Sequence, residues 1–541
     1  MRRALYVLLV LTAASLLRLY PTLISGMPFS TDSWPPIRNT ELLVEHTPID
    51  LGNGGIFDGY NNYWPANSIF GAVLSQVVCV EPKNAMAIVF PVIGAVAVLI
   101  FYTLVEGVFD ASTSLIASTI FATAFTHAIF TAGVTKETYG NPLYLLLILL
   151  FLKPKGRVRA AFLFALTAAA LVLTHHFTPA VTVAILFSMA LACFVSEFRK
   201  GSVRSRFSFF LVGILASATV FYYLVYAGAG FNIQLTLSDW LSAASFQTVA
   251  FALAALFAFK KSKHSGMHTM LACSMATAVP LAIALLAAKT SITPGAPVLP
   301  SRYLVYAAPL VIASPLIVLG YGEVKSSGSG SASATLFWLA AVLGLEGYAI
   351  FGCPDLGLGL AYRTVNFLWA PLALLSAVGL QRLYLTSKGL HGWRPVAGLA
   401  KTATVAAVAA IALLNIFNVY AAVSLGERYM GYFWLYTSPE YEAGSWVATA
   451  ASRNLTIAGD VKASYLLKGY FNVEVDVFQG LKYLAGRGDL QQQLLWIYGQ
   501  MLRNGYVLYE GYSVDLPQNW TEKLYGLNLL YSDGSVKIFG G

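Results

Sequence analysis

The stretch YLLLILLFLKPKGRVRAAFLFALTAAALVLT, residues 144–174, decides the fold class. Two apolar runs flank a short loop that carries Lys153, Lys155, Arg157 and Arg159. A helix needs about 20 apolar residues to cross a hydrocarbon core, and loops rich in Lys and Arg stay on the cytoplasmic side. The stretch therefore predicts a membrane hairpin with a cytoplasmic turn.

The same alternation of apolar runs and polar loops continues along most of the 541-residue chain. The chain is 57% hydrophobic and only 11% charged, which is too little charge for the surface of a soluble protein. We therefore predict an all-α polytopic membrane protein with about thirteen transmembrane helices. The predicted spans are residues 4–25, 84–108, 111–132, 139–152, 160–176, 179–197, 207–229, 241–259, 268–288, 302–321, 334–351, 364–381 and 402–424.

Basic residues set the predicted orientation of these helices. Arg2 and Arg3 precede the first apolar run, and clusters of Lys and Arg recur in every second loop, whereas the short loops between them hold isolated Lys or Arg residues. We therefore predict a cytoplasmic N-terminus and an extracytoplasmic C-terminal region. Because the net charge of +9 is divided among short clusters, we expect a lipid bilayer as partner and no nucleic acid.

After residue 424 the long apolar runs stop, and we predict two domains. Residues 1–424 form the transmembrane domain, and residues 425–541 form a small extracytoplasmic α/β domain. The elements predicted for the second domain are a helix at 439–452, a strand at 455–458, an amphipathic helix at 490–503, a strand at 505–509 and a hairpin at 527–539 that turns at Asp533-Gly534.

The first outer loop concentrates polar and aromatic residues in PFSTDSWPPIRNTELL, residues 28–43. Asp32 follows the first helix closely, so its carboxylate is placed to act as a general base or a metal ligand. The alternative is an N-cap, in which Asp32 caps a surface helix that begins at Trp34.

The same loop continues as FDGYNNYWP, residues 57–65, and offers a surface for a sugar. A carboxylate hydrogen-bonds to sugar hydroxyls, and aromatic rings stack on sugar rings. The residues predicted to bind substrate are Asp58, Tyr60, Tyr63 and Trp64. The alternative is anchoring at the membrane interface, which favours the same aromatic residues and is the preferred interpretation for Trp64.

Two further outer segments carry reactive side chains. Glu137 lies in TKETYGNP, residues 135–142, and could act together with Asp32 as a catalytic carboxylate. The alternative is that Glu137 forms an ion pair with Lys136 or another loop residue. His175 and His176 follow each other directly, so they do not match a two-His metal site on one helix face. One of them would bind phosphate or relay a proton; the alternative is a structural histidine at a helix end.

Two helices are predicted to begin with an arginine at the outer membrane boundary, Arg302 in one and Arg363 in the other. Each arginine either holds a lipid-linked phosphate or extends its charge towards water. The two elements share an order of residues, because each continues to a proline and then a glycine: Pro309 and Gly320 in the first, Pro371 and Gly379 in the second.

The sequence lacks a phosphate-binding glycine loop, an HExxH motif, a GxSxG motif and a CxxC motif. These absences argue against ATP-driven transport and zinc proteolysis. With only four cysteines, neither a disulfide framework nor a cysteine-based zinc site is indicated.

Together these features resemble the GT-C superfamily of membrane glycosyltransferases. The matching residues are Asp32 after the first helix, Glu137 in the second outer loop, and Arg363 in RTVNFLWAP. The helix plan is similar to that of the oligosaccharyltransferase catalytic subunit, and HHFTP at 175–179 resembles archaeal relatives, which suggests an archaeal source. The Trp-Trp-Asp-Tyr-Gly signature of that subunit is absent, and the nearest aromatic stretch is GYFWLY at 431–436.

The resemblance implies a polyprenyl- or dolichyl-phosphate sugar donor and a glycan, protein or lipid acceptor. It also implies that Asp32 deprotonates the acceptor while Arg363 or Arg302 neutralises the departing phosphate. Whether Asp32 and Glu137 hold a divalent metal, Mn or Mg, is left open. The alternatives are a transporter or flippase of lipid-linked saccharides and a noncatalytic membrane scaffold; the clustering of polar motifs on one side favours the transferase.

Overall fold

The computed structural model describes residues 2–46, 60–154, 156–198, 206–230, 236–259, 266–291, 298, 300–327, 330–352, 357–388, 394–425, 427–450, 456–490, 493–509 and 512–541. The first sixteen helices are α1 (Arg2–Ser25), α2 (Trp34–Glu45), α3 (Ala66–Val78), α4 (Pro82–Val108), α5 (Ala111–Thr123), α6 (Phe125–Phe130), α7 (Lys136–Leu152), α8 (Arg157–Thr174), α9 (Phe177–Phe198), α10 (Arg206–Val225), α11 (Leu237–Phe259), α12 (Gly266–Ala287), α13 (Ala308–Ser327), α14 (Gly330–Gly347), α15 (Gly357–Lys388) and α16 (Arg394–Ser424).

Eleven helices in the described part of the chain are long and apolar enough to cross a membrane. They coincide with eleven of the thirteen predicted spans. The other two predictions fall on shorter helices: residues 111–132 are divided between α5 and α6, and α7 has only 17 residues. The chain is thus a polytopic membrane protein, as its composition indicates.

The division between α5 and α6 lies at Ala124, where the backbone leaves the helical conformation with φ −49° and ψ 115°. A break inside a membrane protein frees backbone groups that need a new partner. Asn415 on α16 supplies one, because its Oδ1 accepts a hydrogen bond from the Phe125 backbone N–H at 3.0 Å. The Asn415 side chain is fully buried.

The chain folds into two compact units, each made of segments that are distant in the sequence. The first, here called the helical unit, comprises residues 1–17, 93–131 and 139–419. The second, here called the mixed unit, comprises residues 18–92, 132–138 and 420–541. The first outer loop of the sequence therefore belongs with the C-terminal region.

The helical unit has a core of aliphatic and aromatic side chains from its packed helices. Phe101 and Phe121 pack at the centre with ring centroids 4.6 Å apart. Many side chains on the outer surface of the same helices are large, apolar and exposed, among them Phe221, Leu256 and Leu271. That distribution fits helices that face lipid on one side and each other on the opposite side.

The mixed unit contains the strands β1 (Ile457–Ala458), β2 (Val475–Asp476), β3 (Leu494–Tyr498), β4 (Tyr506–Tyr509), β5 (Tyr512–Asp515), β6 (Asn528–Ser532) and β7 (Val536–Gly540). Five of them form a sheet in the order β2-β1-β3-β7-β6, and β4 and β5 form a separate hairpin. The first three strands of the larger sheet are parallel, and β3, β7 and β6 are antiparallel. Between the strands lie α17 (Ser438–Ala450), α18 (Val461–Leu467), α19 (Val477–Leu484) and α20 (Gly499–Asn504).

Most predictions for this region are confirmed, namely α17, β1, β4 and the β6–β7 hairpin. The predicted amphipathic helix at 490–503 is wrong. Residues 494–498 form β3 at the middle of the sheet, and only the following residues 499–504 are helical. Trp496 and Ile497 are both fully buried, so the run LLWIY is a strand covered on both faces and carries no amphipathic period.

Candidate active site

Asp32 lies in a short 3₁₀ turn, Thr31–Ser33, between α1 and α2. Ser30 begins the turn with φ +80°, a left-handed conformation that is uncommon outside glycine. Its backbone N–H donates to the Trp434 carbonyl at 2.8 Å, and its Oγ accepts from the Asp32 N–H at 3.3 Å. Two hydrogen bonds of Ser30 therefore fix the backbone that leads into Asp32.

Asp32 does not occupy the N-cap position of α2. The N-cap residue of α2 is Ser33, and its side chain makes no capping hydrogen bond. Ser33 Oγ instead donates to the Phe29 carbonyl and accepts from the Val134 N–H at 2.8 Å.

The bond between Ser33 and Val134 joins the Asp32 turn to the segment that leads to Glu137. Gly133 allows the close approach, because an added Cβ would meet the Phe29 carbonyl oxygen and lie 3.1 Å from Ser33 Oγ. Thr138 Oγ1 then donates to the Gly133 carbonyl at 2.7 Å and fixes the first turn of α7. Asp32 and Glu137 thus lie on two segments that are hydrogen-bonded to each other.

Both carboxylate residues are half-buried, whereas their neighbours Thr31, Ser33 and Lys136 are buried. A half-buried carboxylate can reach a substrate and still be held by its surroundings. Both carboxylates therefore lie on fixed backbone and are in part accessible.

The aromatic stretch at 431–436 packs against the Asp32 turn. Phe29 and Trp434 meet edge to face with ring centroids 6.0 Å apart, and Trp34 meets Tyr436 in the same way at 5.2 Å. Burial raises the pKa of Tyr436 well above its ordinary value, and the negative charges around it, including that of Asp32, raise it further. Tyr436 is thus a neutral hydroxyl group close to Asp32.

Trp34 is the centre of a larger aromatic cluster that the sequence did not single out. Its ring also contacts Tyr441 at 5.9 Å and Tyr470 at 5.4 Å, and it is fully buried. Tyr470 donates its hydroxyl to Glu41 Oε1 at 2.7 Å, and burial raises the pKa of Glu41. This cluster supports α2 directly behind the Asp32 turn.

The four residues predicted to bind a sugar differ in how exposed they are, and one of them lies outside the described residues. Asp58 lies outside the described residues, and Tyr60 begins the 3₁₀ turn Tyr60–Tyr63, in which Tyr63 is half-buried. Trp64 is only 3% exposed, with Lys136 Nζ 5.2 Å from its ring centroid. The Trp64 ring therefore packs inside the mixed unit.

The predicted phosphate-binding residues belong to the helical unit. Arg363 lies in the second turn of α15, not at its beginning, because that helix starts at Gly357. Its Nε contacts the Tyr362 hydroxyl at 3.3 Å. Arg302 lies on the 3₁₀ helix Ser301–Ala307 before α13, with its guanidinium 5.2 Å from the Tyr303 ring centroid and its side chain exposed.

His175 ends α8, where its backbone N–H donates to the Leu171 carbonyl. Its ring Nδ1 lies 2.6 Å from Thr178 Oγ1 at the start of α9, and the residue is buried. This geometry fits the structural alternative for His175. His176 is half-buried, with its ring centroid 4.7 Å from that of His175.

Glu346 is a candidate that the sequence analysis missed. It lies within the apolar span Ala332–Gly352, and its carboxylate accepts a hydrogen bond from Thr364 Oγ1, next to Arg363. A lone carboxylate in an apolar span is the signal that would have found it, because such residues are costly unless they have a function or a partner.

A divalent metal would depend on the carboxylates of Asp32 and Glu137. Among the described residues, no three His, Cys, Asp or Glu side chains form a metal-binding group. Mg²⁺ is nevertheless often held by one or two carboxylates together with substrate phosphates and water. Asp32 and Glu137 could supply those two carboxylates.

Comparison with solved structures shows that the chain shares the fold of an archaeal oligosaccharyltransferase and of the protein ArnT. The oligosaccharyltransferase of Archaeoglobus fulgidus, with a tethered acceptor peptide, matches 99% of this chain and 74% of its own with a TM-score of 0.57 at 14% identity. ArnT from Cupriavidus metallidurans in the apo state matches 100% of this chain and 98% of its own with a TM-score of 0.53 at 11% identity.

Two complexes of these proteins match similarly. The archaeal oligosaccharyltransferase AglB with an inhibitory peptide and a dolichol-phosphate has a TM-score of 0.58 at 13% identity, over 93% of this chain and 70% of its own. ArnT bound to undecaprenyl phosphate has a TM-score of 0.52 at 10% identity, over 99% of this chain and 97% of its own. By sequence, no family model and no curated protein matches the chain.

Proposed function

We propose that the chain is a membrane glycosyltransferase that moves a sugar from a polyprenyl- or dolichyl-phosphate donor to an extracytoplasmic acceptor. The acceptor would be a glycan, a protein or a lipid. The strongest support is the Asp32 turn, held by Ser33 against the segment that leads to Glu137, within a GT-C fold. Solved structures of two proteins with this fold contain a dolichol-phosphate and undecaprenyl phosphate.

Asp32 is the proposed general base. Its carboxylate would take the proton from an acceptor hydroxyl, whose oxygen then forms a bond to the anomeric carbon of the donor sugar. The bond between that carbon and the phosphate oxygen breaks, and the lipid phosphate leaves with the electron pair. Tyr436 lies beside Asp32 as a neutral hydroxyl, so it adds no competing negative charge.

Arg363 is the proposed partner of the leaving phosphate, and Arg302 is the second candidate. A guanidinium group pairs with phosphate through two parallel hydrogen bonds, which stabilises the negative charge that forms as the bond breaks. His176 would assist as a neutral or protonated donor to the phosphate, whereas the contact of His175 with Thr178 favours the structural role for that residue.

If a divalent metal takes part, Asp32 and Glu137 are the residues that would hold it. The ion would supply positive charge near the donor phosphate, as Mg²⁺ and Mn²⁺ do in phosphate sites. Tyr60, Tyr63 and Asp58 remain proposed contacts to the sugar.

The test uses the full-length protein in lipid nanodiscs with radiolabelled dolichyl-phosphate hexoses and total membrane acceptors. Wild type would be compared with Asp32→Asn and Arg363→Ala, each with and without a chelator. Glu81→Gln is the matched control for the carboxylate, because Glu81 is an exposed residue of the same unit. Arg159→Ala, at an exposed position of the helical unit, is the control for the arginine.

Label transfer that is lost in the two site variants and retained in the two controls supports the transferase. Equal transfer by Asp32→Asn and wild type removes Asp32 from the mechanism. A parallel assay in proteoliposomes, which enclose a compartment, measures transport: donor that crosses the bilayer without being consumed identifies a flippase. Neither transfer nor transport favours the noncatalytic scaffold.

A further inference from the structure

An open groove of about 610 Å³ lies beside β2 in the mixed unit. β2 is the edge strand of the five-stranded sheet, so among the described residues one of its sides has no neighbouring strand in that sheet. The groove is lined by Thr456, Glu474, Asp476, Phe478 and Tyr509, together with valine side chains. Neither Asp32 nor Glu137 lines it, so it is separate from the candidate active site.

The groove contains two aromatic rings at its surface. Phe478, at the start of α19, is 52% exposed. It belongs to none of the eleven apolar helices of the described chain, so its exposure is not that of a residue in an apolar span. Its ring centroid lies 6.4 Å from that of Tyr509, at an angle of 46°. Lys482 Nζ lies 4.1 Å from the Phe478 centroid and helps to fix the ring. An exposed, oriented phenyl ring is suited to contact a ligand.

Two carboxylates accompany these rings, and each is held by a protein partner. Asp476 Oδ1 accepts from the Gln479 N–H at 2.8 Å as the N-cap of α19. Glu474 Oε2 accepts from Lys468 Nζ at 2.9 Å. The cap of α19 fixes the position of Asp476, and Glu474 and the Thr456 hydroxyl add further groups that accept or donate hydrogen bonds.

We propose that this groove binds a neutral oligosaccharide. A sugar ring has an apolar C–H face, which stacks on a phenyl or phenol ring, and an edge of hydroxyl groups, which donate to carboxylates. Phe478 and Tyr509 provide the first kind of contact, and Asp476 and Glu474 provide the second. The subsite would hold a glycan outside the catalytic centre, either as part of an acceptor or as a retained product.

Two other classes of ligand fit the groove less well. An anionic ligand would meet the charge of Asp476, whereas the charge of Glu474 is paired with Lys468. A peptide added as a strand would need a longer edge, because β2 has only two residues. The combination of rings and carboxylates therefore favours a neutral saccharide.

The binding test needs neither a lipid-linked donor nor catalysis, so its outcome is independent of the proposed transferase activity. Full-length protein in nanodiscs would be titrated with mannotriose, maltotriose and chitotriose, with saturation-transfer NMR as the readout. The variants are Phe478→Ala and Asp476→Asn; asparagine retains the ability to cap α19. Tyr525→Ala is the control, because Tyr525 is an aromatic residue of the same unit and is 85% exposed.

The expected result is that at least one trisaccharide binds wild type and Tyr525→Ala alike. Phe478→Ala should weaken that binding about fivefold to tenfold, as the loss of one aromatic contact predicts, and Asp476→Asn should weaken it as well. No binding by any of the three sugars overturns the proposal. Binding that is unchanged in Phe478→Ala also overturns it, since the sugar then occupies another site.

Discussion

Gly320 on α13 and Gly379 on α15 lie backbone against backbone. A Cβ added to Gly320 would meet the Leu375 carbonyl oxygen and lie 3.1 Å from the Gly379 nitrogen. A Cβ added to Gly379 would meet the Leu316 carbonyl oxygen and lie 3.0 Å from the Gly320 nitrogen. Small residues allow such close helix packing in membranes, where apolar side chains gain little by leaving lipid.

The first prediction follows from this crossing. Gly379→Ala places a methyl group against a backbone carbonyl that cannot move independently of α13, so the two helices must separate. We expect a loss of stability of about 1–3 kcal/mol, the usual cost of overpacking. Thermal unfolding in detergent measures it. The control is Gly213→Ala on α10, where an added Cβ meets no atom within 4 Å; equal melting temperatures for the two variants would contradict the packing argument.

The sequence placed these two glycines at similar positions in two helices but did not predict that they touch. Membrane spans are well predicted because the length of an apolar run is a local property, and eleven of them coincide with long helices. The break at Ala124 was missed because its partner, Asn415, is 290 residues from Phe125 in the chain. Long-range partners leave no local pattern.

The arrangement of the candidate site likewise depends on contacts between distant parts of the sequence. Asp32 and Glu137 were named from their positions after helices, but the bond between Ser33 and Val134 that joins their segments spans 101 residues. The packing of Trp34 on Tyr436 was missed for the same reason. The β3 error has a different cause, because an apolar run of five residues has no period that separates a buried strand from a helix.

The second prediction concerns the break between α5 and α6. Asn415→Leu removes the acceptor of the Phe125 N–H and leaves a buried donor without a partner, which costs about 1–3 kcal/mol. We expect a lower melting temperature and faster hydrogen exchange at residues 124–130. Leu413→Ala on the same helix is the control, because Leu413 is 64% exposed. Unchanged exchange in the Asn415 variant would mean that the break is held by other contacts.

The third prediction tests the positioning of Asp32. Gly133→Ala would push the added methyl group against the Phe29 carbonyl and shift the Asp32 turn. A displacement of about 1 Å at a catalytic group costs on the order of a hundredfold in rate. The rate of sugar transfer by the variant should therefore fall by about a hundredfold. Its melting temperature should change little. Gly526→Ala, where a Cβ meets no atom within 4 Å, should keep wild-type transfer.

The fourth prediction compares two ion pairs of the mixed unit. Lys462 and Glu440 form a buried pair at 2.7 Å, and Lys468 and Glu474 form an exposed pair at 2.9 Å. Lys462→Met leaves the Glu440 charge buried without its partner, at a cost of about 3–5 kcal/mol. Lys468→Met should cost less than about 1 kcal/mol, because exposed pairs are screened by water. If both variants lost a similar amount of unfolding free energy, burial would not be what makes the Lys462–Glu440 pair stabilising.

The fifth prediction concerns the pH dependence of stability through Asp460. Burial raises the pKa of this carboxyl from 3.8 to about 6, because the charged form loses its hydration, while hydrogen bonding to Ala463 N–H acts in the opposite direction. The native state therefore holds the proton more tightly than the unfolded state. Its contribution to stability is full below about pH 4 and is lost as the pH rises through about 6.

Asp460→Asn isolates this effect, because asparagine keeps the cap of α18 but carries no charge at any pH. The variant and wild type should be similarly stable at pH 4. At pH 7.5 the variant should be the more stable by up to about 3 kcal/mol, the free energy that corresponds to the pKa shift. Hydrogen exchange across residues 456–470 at both pH values measures the difference. A difference that is the same at both pH values would mean that the Asp460 carboxyl does not titrate in this range.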